Sequence, residues 1–397
     1  MVSVFGTLRK AGLTGLGRAV AVVASALWLA ACDPAALGGA SGPAIDPGKP
    51  VQVALLVPRT SGIGGDEILS RDLENAARLA MADLQGVRID LRVYDTGSSP
   101  GQAAAAANTA VNDGAKILLG PLRADAANAA GLAVASRGVN VLSFSNNPDI
   151  AGGNVYILGT TFNSVADRLV GYAARNGKGR IYAVYEQTPA GEVGRRAIEQ
   201  AVARSSASLA GMQGYPFSQA GVTAAVPGIV SGVRGSGAQT LFLTAGSVDS
   251  LPLLAQLLPG AGLGPGTVQY MGLTRWDIPP TTASLPGIQG GWFALPDPGP
   301  AQAFRARYRA AYGAEPNTIA GLAYDGIAAV GALVKSGRSD ALGSSALTQS
   351  SGFVGVNGVF RFRSDGTSDR ALAVAEIRNN QVVVIDPAPR RFGGPGS

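Results

Sequence analysis

KILLGPLRADAANAAG, Lys116–Gly131, carries a short apolar run into Gly-Pro and then into an alanine-rich stretch with helical spacing. That order is the strand–turn–helix junction of a parallel α/β sheet, and open α/β sheets place their ligands at the carboxyl ends of their strands. Gly120 removes a side chain at the junction. The helix that follows offers free backbone N–H groups and a positive dipole end, worth about 0.3–1 kcal/mol to a nearby anion. Arg123, Ala124 and Asp125 are therefore candidate ligand contacts. Arg123 can present a bidentate guanidinium to a carboxylate or phosphate, or lie in solvent; Asp125 is either a ligand contact or a helix cap.

Outward from this junction the same alternation repeats. VQVALLV (Val51–Val57) is a nearly continuous apolar strand, and Asp66 can cap a helix whose stripe is Leu69, Leu73, Ala76, Ala80 and Leu84. IDLRVYD (Ile89–Asp95) is the next strand, Ser99-Pro100 opens a helix that Gly114 closes, and VNVLSFS follows the helix that ends at Gly138. After Val155 the alternation restarts: helix from Ser164, strand Arg180–Glu186, helix from Gly191, strand Gln239–Ala245, helix from Ser247 and strand Val268–Gly272. This order predicts an α/β protein of two Rossmann-like, doubly wound lobes, each a mainly parallel sheet covered on both faces.

Composition agrees and excludes much chemistry. The 397 residues are 46% hydrophobic and 15% charged, enough to bury two cores. No histidine is present, which removes Ser-His-Asp and Cys-His nucleophiles and imidazole metal ligands. Gly260–Gly266 (GAGLGPG) follows a helix and precedes a strand, the reverse of a dinucleotide-binding turn. No Asp/Glu pair stands out for glycan hydrolysis. The reading is a non-enzymatic protein with no cofactor and no metal.

At the amino end, Arg9, Lys10 and Arg18 precede the apolar run Ala19–Leu29, which is too short to span a bilayer but suits a signal peptide. Leu29-Ala30-Ala31-Cys32 resembles a bacterial lipobox, and Cys32, the single cysteine, is the expected lipidation site. Removal of residues 1–31 takes three of the six net positive charges, and without a basic, aromatic-studded patch no nucleic-acid partner is expected. Residues 32–50 read as a flexible tether and residues 386–397 as a mobile tail.

Four blocks carry a family resemblance: VALLVPRTSGIG (53–64), the stretch 94–147 containing the opening junction, AYGAEPNTIAGLAYDGIAAVGAL (311–333) and GFVGVNGVFRFRSDG (352–366). They resemble the type I periplasmic binding proteins of the leucine/isoleucine/valine family. The resemblance implies three chain crossings, near Gly159, near 292–296 and near 358–370. Lobe one would comprise about 51–160 and 296–357, and lobe two about 161–295 and 358–385. It also transfers Ser145 and Asn147 from lobe one, and Ser247 and Thr274 from lobe two, as candidate ligand contacts. Relatives grip an amino-acid ammonium with an acid on lobe two, whereas the ends Ala245-Gly246-Ser247 and Gly272–Trp276 offer none here. The lipobox, these departures, GGWFALPDP (290–298) and AQAFRARYRAAYG (301–313) further resemble envelope lipoproteins that activate penicillin-binding proteins. That likeness implies a peptidoglycan synthase as partner, with Arg275 and Trp276 as candidate contacts and Trp292 and Phe293 either contact or core. The alternative is a receptor for branched-chain amino acids or related small polar solutes, with an ABC permease as partner. In either case the protein would be lipid-anchored to the inner or outer membrane, in the periplasm of a Gram-negative bacterium.

Overall fold

The computed structural model describes residues 42–392; the signal segment and Cys32 lie outside the described residues. Five parallel strands form the first sheet, in the order β2-β1-β3-β4-β5: β1 (Val51–Val57), β2 (Ile89–Asp95), β3 (Ile117–Leu119), β4 (Asn140–Ser143) and β5 (Val155–Ile157). The continuous apolar run of β1 follows from double-sided burial. Val53, Leu55 and Val57 enter one core, while Ala54 and Leu56 enter the core on the opposite face. Helices α1 (Asp66–Asp83), α2 (Pro100–Asn112) and α3 (Ala124–Val134) cover these faces. A capping box between Ser99 and Gln102 starts α2, and its small buried residues Ala103, Ala107 and Ala110 permit close approach to the sheet. Asp66 does not cap α1 as expected: Gly65 holds that position at φ 87°, and Asp66 turns its carboxylate to Ser61 and Arg123.

After β5 the chain crosses to a second sheet of seven strands, ordered β15 (Gln381–Asp386), β14 (Leu372–Arg378), β10 (Trp292–Pro296), β9 (Gln269–Gly272), β8 (Thr240–Leu243), β6 (Arg180–Glu186) and β7 (Ser208–Tyr215). Its parallel part comprises β6, β7, β8, β9 and β10. Helices α4 (Phe162–Arg175), α5 (Pro189–Ala203), α6 (Gln219–Ser236) and α7 (Leu251–Gly260) flank it. Past Pro296 the chain returns to the first lobe, where α8 (Pro298–Tyr312) and α9 (Gly321–Val334) pack Phe304, Tyr308, Ile327 and Val330 into the first core. A small antiparallel sheet follows, of β11 (Phe353–Gly355), β12 (Gly358–Phe362) and β13 (Ser368–Arg370). The hairpin β14 (Leu372–Arg378)–β15 (Gln381–Asp386) then closes the second sheet, turning at Asn379 and Asn380, both in the left-handed region.

Three expectations about boundaries need correction. Residues 358–370 pack with lobe one, because Phe360 and Phe362 lie wholly inside its core, so the third crossing falls at Ala371. The tether is already docked by Ile45, which is buried and donates its N–H to Ser339 O. The tail stays packed beyond Asp386: Ala388 is buried, and the Phe392 ring lies 4.6 Å from the Arg361 guanidinium. No helix among the described residues is long and apolar enough to cross a membrane.

The crossings are fastened by a fully buried ion pair. Asp325 on α9 accepts from Arg370 Nη1 at 2.8 Å and from Val356 N at 2.7 Å; Arg370 Nη2 reaches Leu158 O at 3.0 Å. Leu158 begins the first crossing and Arg370 ends just before the third, so one carboxylate on lobe one anchors both.

Candidate functional site

A cavity of about 610 Å³ lies where the carboxyl ends of both parallel sheets meet. Lobe one contributes Leu122 after β3, Phe144 and Asn146 after β4, and Gly159 at the first crossing. Lobe two contributes Gly246 and Ser247 after β8, and Leu273, Thr274 and Arg275 after β9. Thr160 and Phe162 bring the start of α4 to the wall, and Ala294–Pro296 and Leu372 line it at the other crossings. In lobe one the strand order reverses between β1 and β3, which is where doubly wound sheets open a ligand crevice. The volume is that of a small-molecule site.

The lining is mainly aliphatic and aromatic, and the only charged side chain on it among the described residues is Arg275. Asp277 takes two of the five Arg275 N–H donors, including Nε at 2.8 Å, and itself stays off the wall. Ser247 Oγ donates to Arg275 O at 2.6 Å and Thr274 Oγ1 donates to Ala245 O at 3.0 Å. These bonds tie the β8 and β9 ends together and leave both hydroxyls as acceptors toward the cavity. Asn357 also lines the wall, and its amide donates to Asp325 at 3.2 Å, so the buried ion pair stands directly behind the site. Deeper in lobe two, Glu186, Tyr215 and Ser250 form a closed hydrogen-bonded cluster, where burial raises the Tyr215 hydroxyl far above its ordinary pKa. No group of His, Cys, Asp and Glu among the described residues is arranged to hold a metal.

The sequence candidates divide between wall and framework. Ser247, Thr274 and Arg275 stand on the wall. Arg123 does not: its guanidinium is 2.8 Å from Asp66, and it is Leu122 that faces the cavity. Ala124 and Asp125 open α3, and Asp125 Oδ1 accepts from Ala126 N, a local helix-start bond. Ser145 is buried and accepts from Asn147 N, while the Asn147 side chain accepts from Asp149 N. Both therefore build the turn that aims Asn146 inward. Trp276 is wholly buried against Phe293, so it has no surface to offer a partner. Phe293 is equally enclosed, and Trp292 packs edge-on to Tyr172 with its indole N–H on Glu376. Sequence reasoning missed Leu122, Asn146, Phe162 and Asn357.

Comparison with known proteins gives the following. The family model described as periplasmic binding protein matches residues 50–381. Among curated proteins none matches the chain. Solved structures similar to it include a proposed branched-chain amino acid ABC transporter from Rhodospirillum rubrum, 20% identical with a TM-score of 0.71, over 85% of this chain and 100% of that one. Another is a branched chain amino acid ABC transporter periplasmic ligand-binding protein from Burkholderia xenovorans, 17% identical with a TM-score of 0.69, over 87% and 97%. A third is an ABC transporter substrate-binding protein from Desulfitobacterium hafniense in complex with Leu, 18% identical with a TM-score of 0.63, over 85% and 100%.

Proposed function

The chain belongs to the periplasmic binding protein family, and from that premise we propose that it is the solute receptor of an ABC transporter, capturing a small molecule between its lobes for a permease. The supporting observation is the two-lobed cavity, whose wall is supplied by strand ends of both sheets and by all three crossings. A ligand touching both halves binds the closed arrangement better than the open one, and that difference drives closure. Binding rather than turnover is supported by the Ser247 and Thr274 hydroxyls, which donate to backbone carbonyls, and by a wall that carries no general base among the described residues. The protein works in the periplasm, attached to a membrane through lipid on Cys32.

A panel of small solutes tested by thermal denaturation, with scattering on each hit, examines this reading. A ligand at about 100 times its Kd is expected to stabilise the protein by roughly 2.7 kcal/mol and to reduce the radius of gyration. A panel of amino acids, organic acids, amides and sugars without a single hit sinks it.

The second reading is a regulator that docks on a peptidoglycan synthase. It draws on the lipobox and on the missing lobe-two acid. Of its two contact candidates Trp276 is enclosed, and Arg275 lines the cavity and pairs with Asp277. Stoichiometric co-purification of a penicillin-binding protein, with no small solute binding the cavity, would favour it over transport.

A further inference from the structure

Resting on the receptor reading, we propose that the ligand is an apolar carboxylate that carries no ammonium group, with its carboxylate on Arg275. The wall holds one cation and no anion among the described residues. Asp277 leaves Arg275 three N–H donors, and the Arg275 side chain is 34% exposed. A carboxylate is the group that this planar donor fork matches. The rest of the wall fits a hydrocarbon body: Leu122, Phe144 and Leu322 from lobe one face Phe162, Leu273 and Leu295.

An amino acid fits the same fork but brings a second charge. Its ammonium would enter a mainly apolar wall whose only partners for it are neutral oxygens, of hydroxyls and of the Asn146 and Asn357 amides, with Arg275 repelling it. A charge desolvated without a counter-ion costs several kcal/mol. The acids nearest the lobe-two strand ends do not remedy this. Asp277 is held by Arg275, Glu186 is closed off behind Ser250 and Tyr215, and Asp249 is exposed beside Gly246 without lining the cavity. The lip is apolar as well: Val248 is 75% exposed and Ile278 37% exposed, so both await cover from a hydrophobic ligand or from closure.

The test is calorimetric titration of the whole protein with four probes: isocaproate, which is leucine without its amino group, then benzoate, leucine and the neutral isocaproamide. Isocaproate or benzoate is expected to bind at least about tenfold more tightly than leucine, a gap of about 1.4 kcal/mol. Arg275→Met should weaken the carboxylates by at least about tenfold while leaving the amide within about twofold, in a variant that still unfolds cooperatively above the titration temperature. Leucine binding as tightly as isocaproate overturns the proposal and leaves the receptor reading standing; loss of that binding in Asp249→Asn would identify the ammonium partner. Amide binding equal to isocaproate, insensitive to Arg275→Met, also overturns it. Silence from all four probes overturns it too, and hits elsewhere in the broad solute panel then decide the receptor reading separately.

Discussion

Asp325→Ala lowers the stability of the folded unit by about 3–5 kcal/mol, the usual loss when one partner of a buried ion pair is removed. For a folded unit of this size that is roughly 4–7 °C in melting temperature. Both partners are enclosed, with side-chain exposures of 1% for Arg370 and 0% for Asp325. The substitution therefore strands a guanidinium over the Phe360 ring, 5.0 Å from its centroid, with Leu158 O as its remaining partner. It also leaves Val356 N–H without its acceptor. Asp325→Asn keeps an acceptor for Val356 but loses the charge, so its loss falls between wild type and alanine. Replacing both partners, Asp325→Leu with Arg370→Met, removes the stranded charge. It recovers only part of the stability, because the Val356 N–H and the Leu158 carbonyl still lack partners. Denaturant unfolding of the four proteins checks this ordering. A loss below about 1 kcal/mol for Asp325→Ala would mean that water or another group reaches Arg370, and that the pair does not fasten the crossings.

The same pair shows where the sequence stops being readable. Asp325 sits in a helix of apolar and small residues, and a lone acid on such a face signals burial, yet its partner lies 45 positions away. Long-range pairing also hid the role of Arg123, which answers Asp66 across 57 positions rather than a ligand. Local signals were far clearer. The run at β1 and the Ser99-Pro100 capping box announce their elements, because a double-sided strand and a capped helix start are properties of contiguous residues. The segment from Ser208 to Ser236 carries no comparable signal. Strand β7 lies at the edge, broken by Gly211 and Gly214, and α6 contains Pro227 and several glycines that blur its period. In the turn Ser143–Asn147 the composition marks a cleft-facing strand end but cannot rank its polar residues. Backbone direction decides, and it gives Asn146 to the cavity while Ser145 and Asn147 hold the turn. Trp276 did leave a trace: Gly272 and Gly291 both lie where any side chain would strike its indole, a space kept open for a core residue.

Gly120→Ala is expected to destabilise the protein by about 2–4 kcal/mol and to weaken ligand binding in the fraction that folds. Two costs combine at this position. Its φ of 83° lies in the left-handed region, where a Cβ costs roughly 1–2 kcal/mol. The new methyl would also collide with the Leu56 carbonyl of the central strand β1 and approach Phe144 Cε2 to 3.2 Å. The Leu56 carbonyl cannot yield locally, since Leu56 is enclosed in the sheet, and Phe144 can yield only by shifting the cavity wall. Relief has to come from moving the β3 end, which carries Leu122 into the cavity and holds β4 through Gly120 N to Leu142 O at 2.8 Å and Phe144 N to Pro121 O at 3.0 Å. The strain is thus transmitted to two wall residues, Leu122 and Phe144, without any change in their identity. Gly153→Ala separates the two costs, because Gly153 has φ 59° and nothing within 4 Å of an added Cβ. That variant should lose only about 1–2 kcal/mol and bind normally. If Gly120→Ala were no worse than Gly153→Ala in both unfolding and titration, the β1–β3 junction would have room to spare. Close packing at the strand ends would then not be what shapes the lobe-one wall.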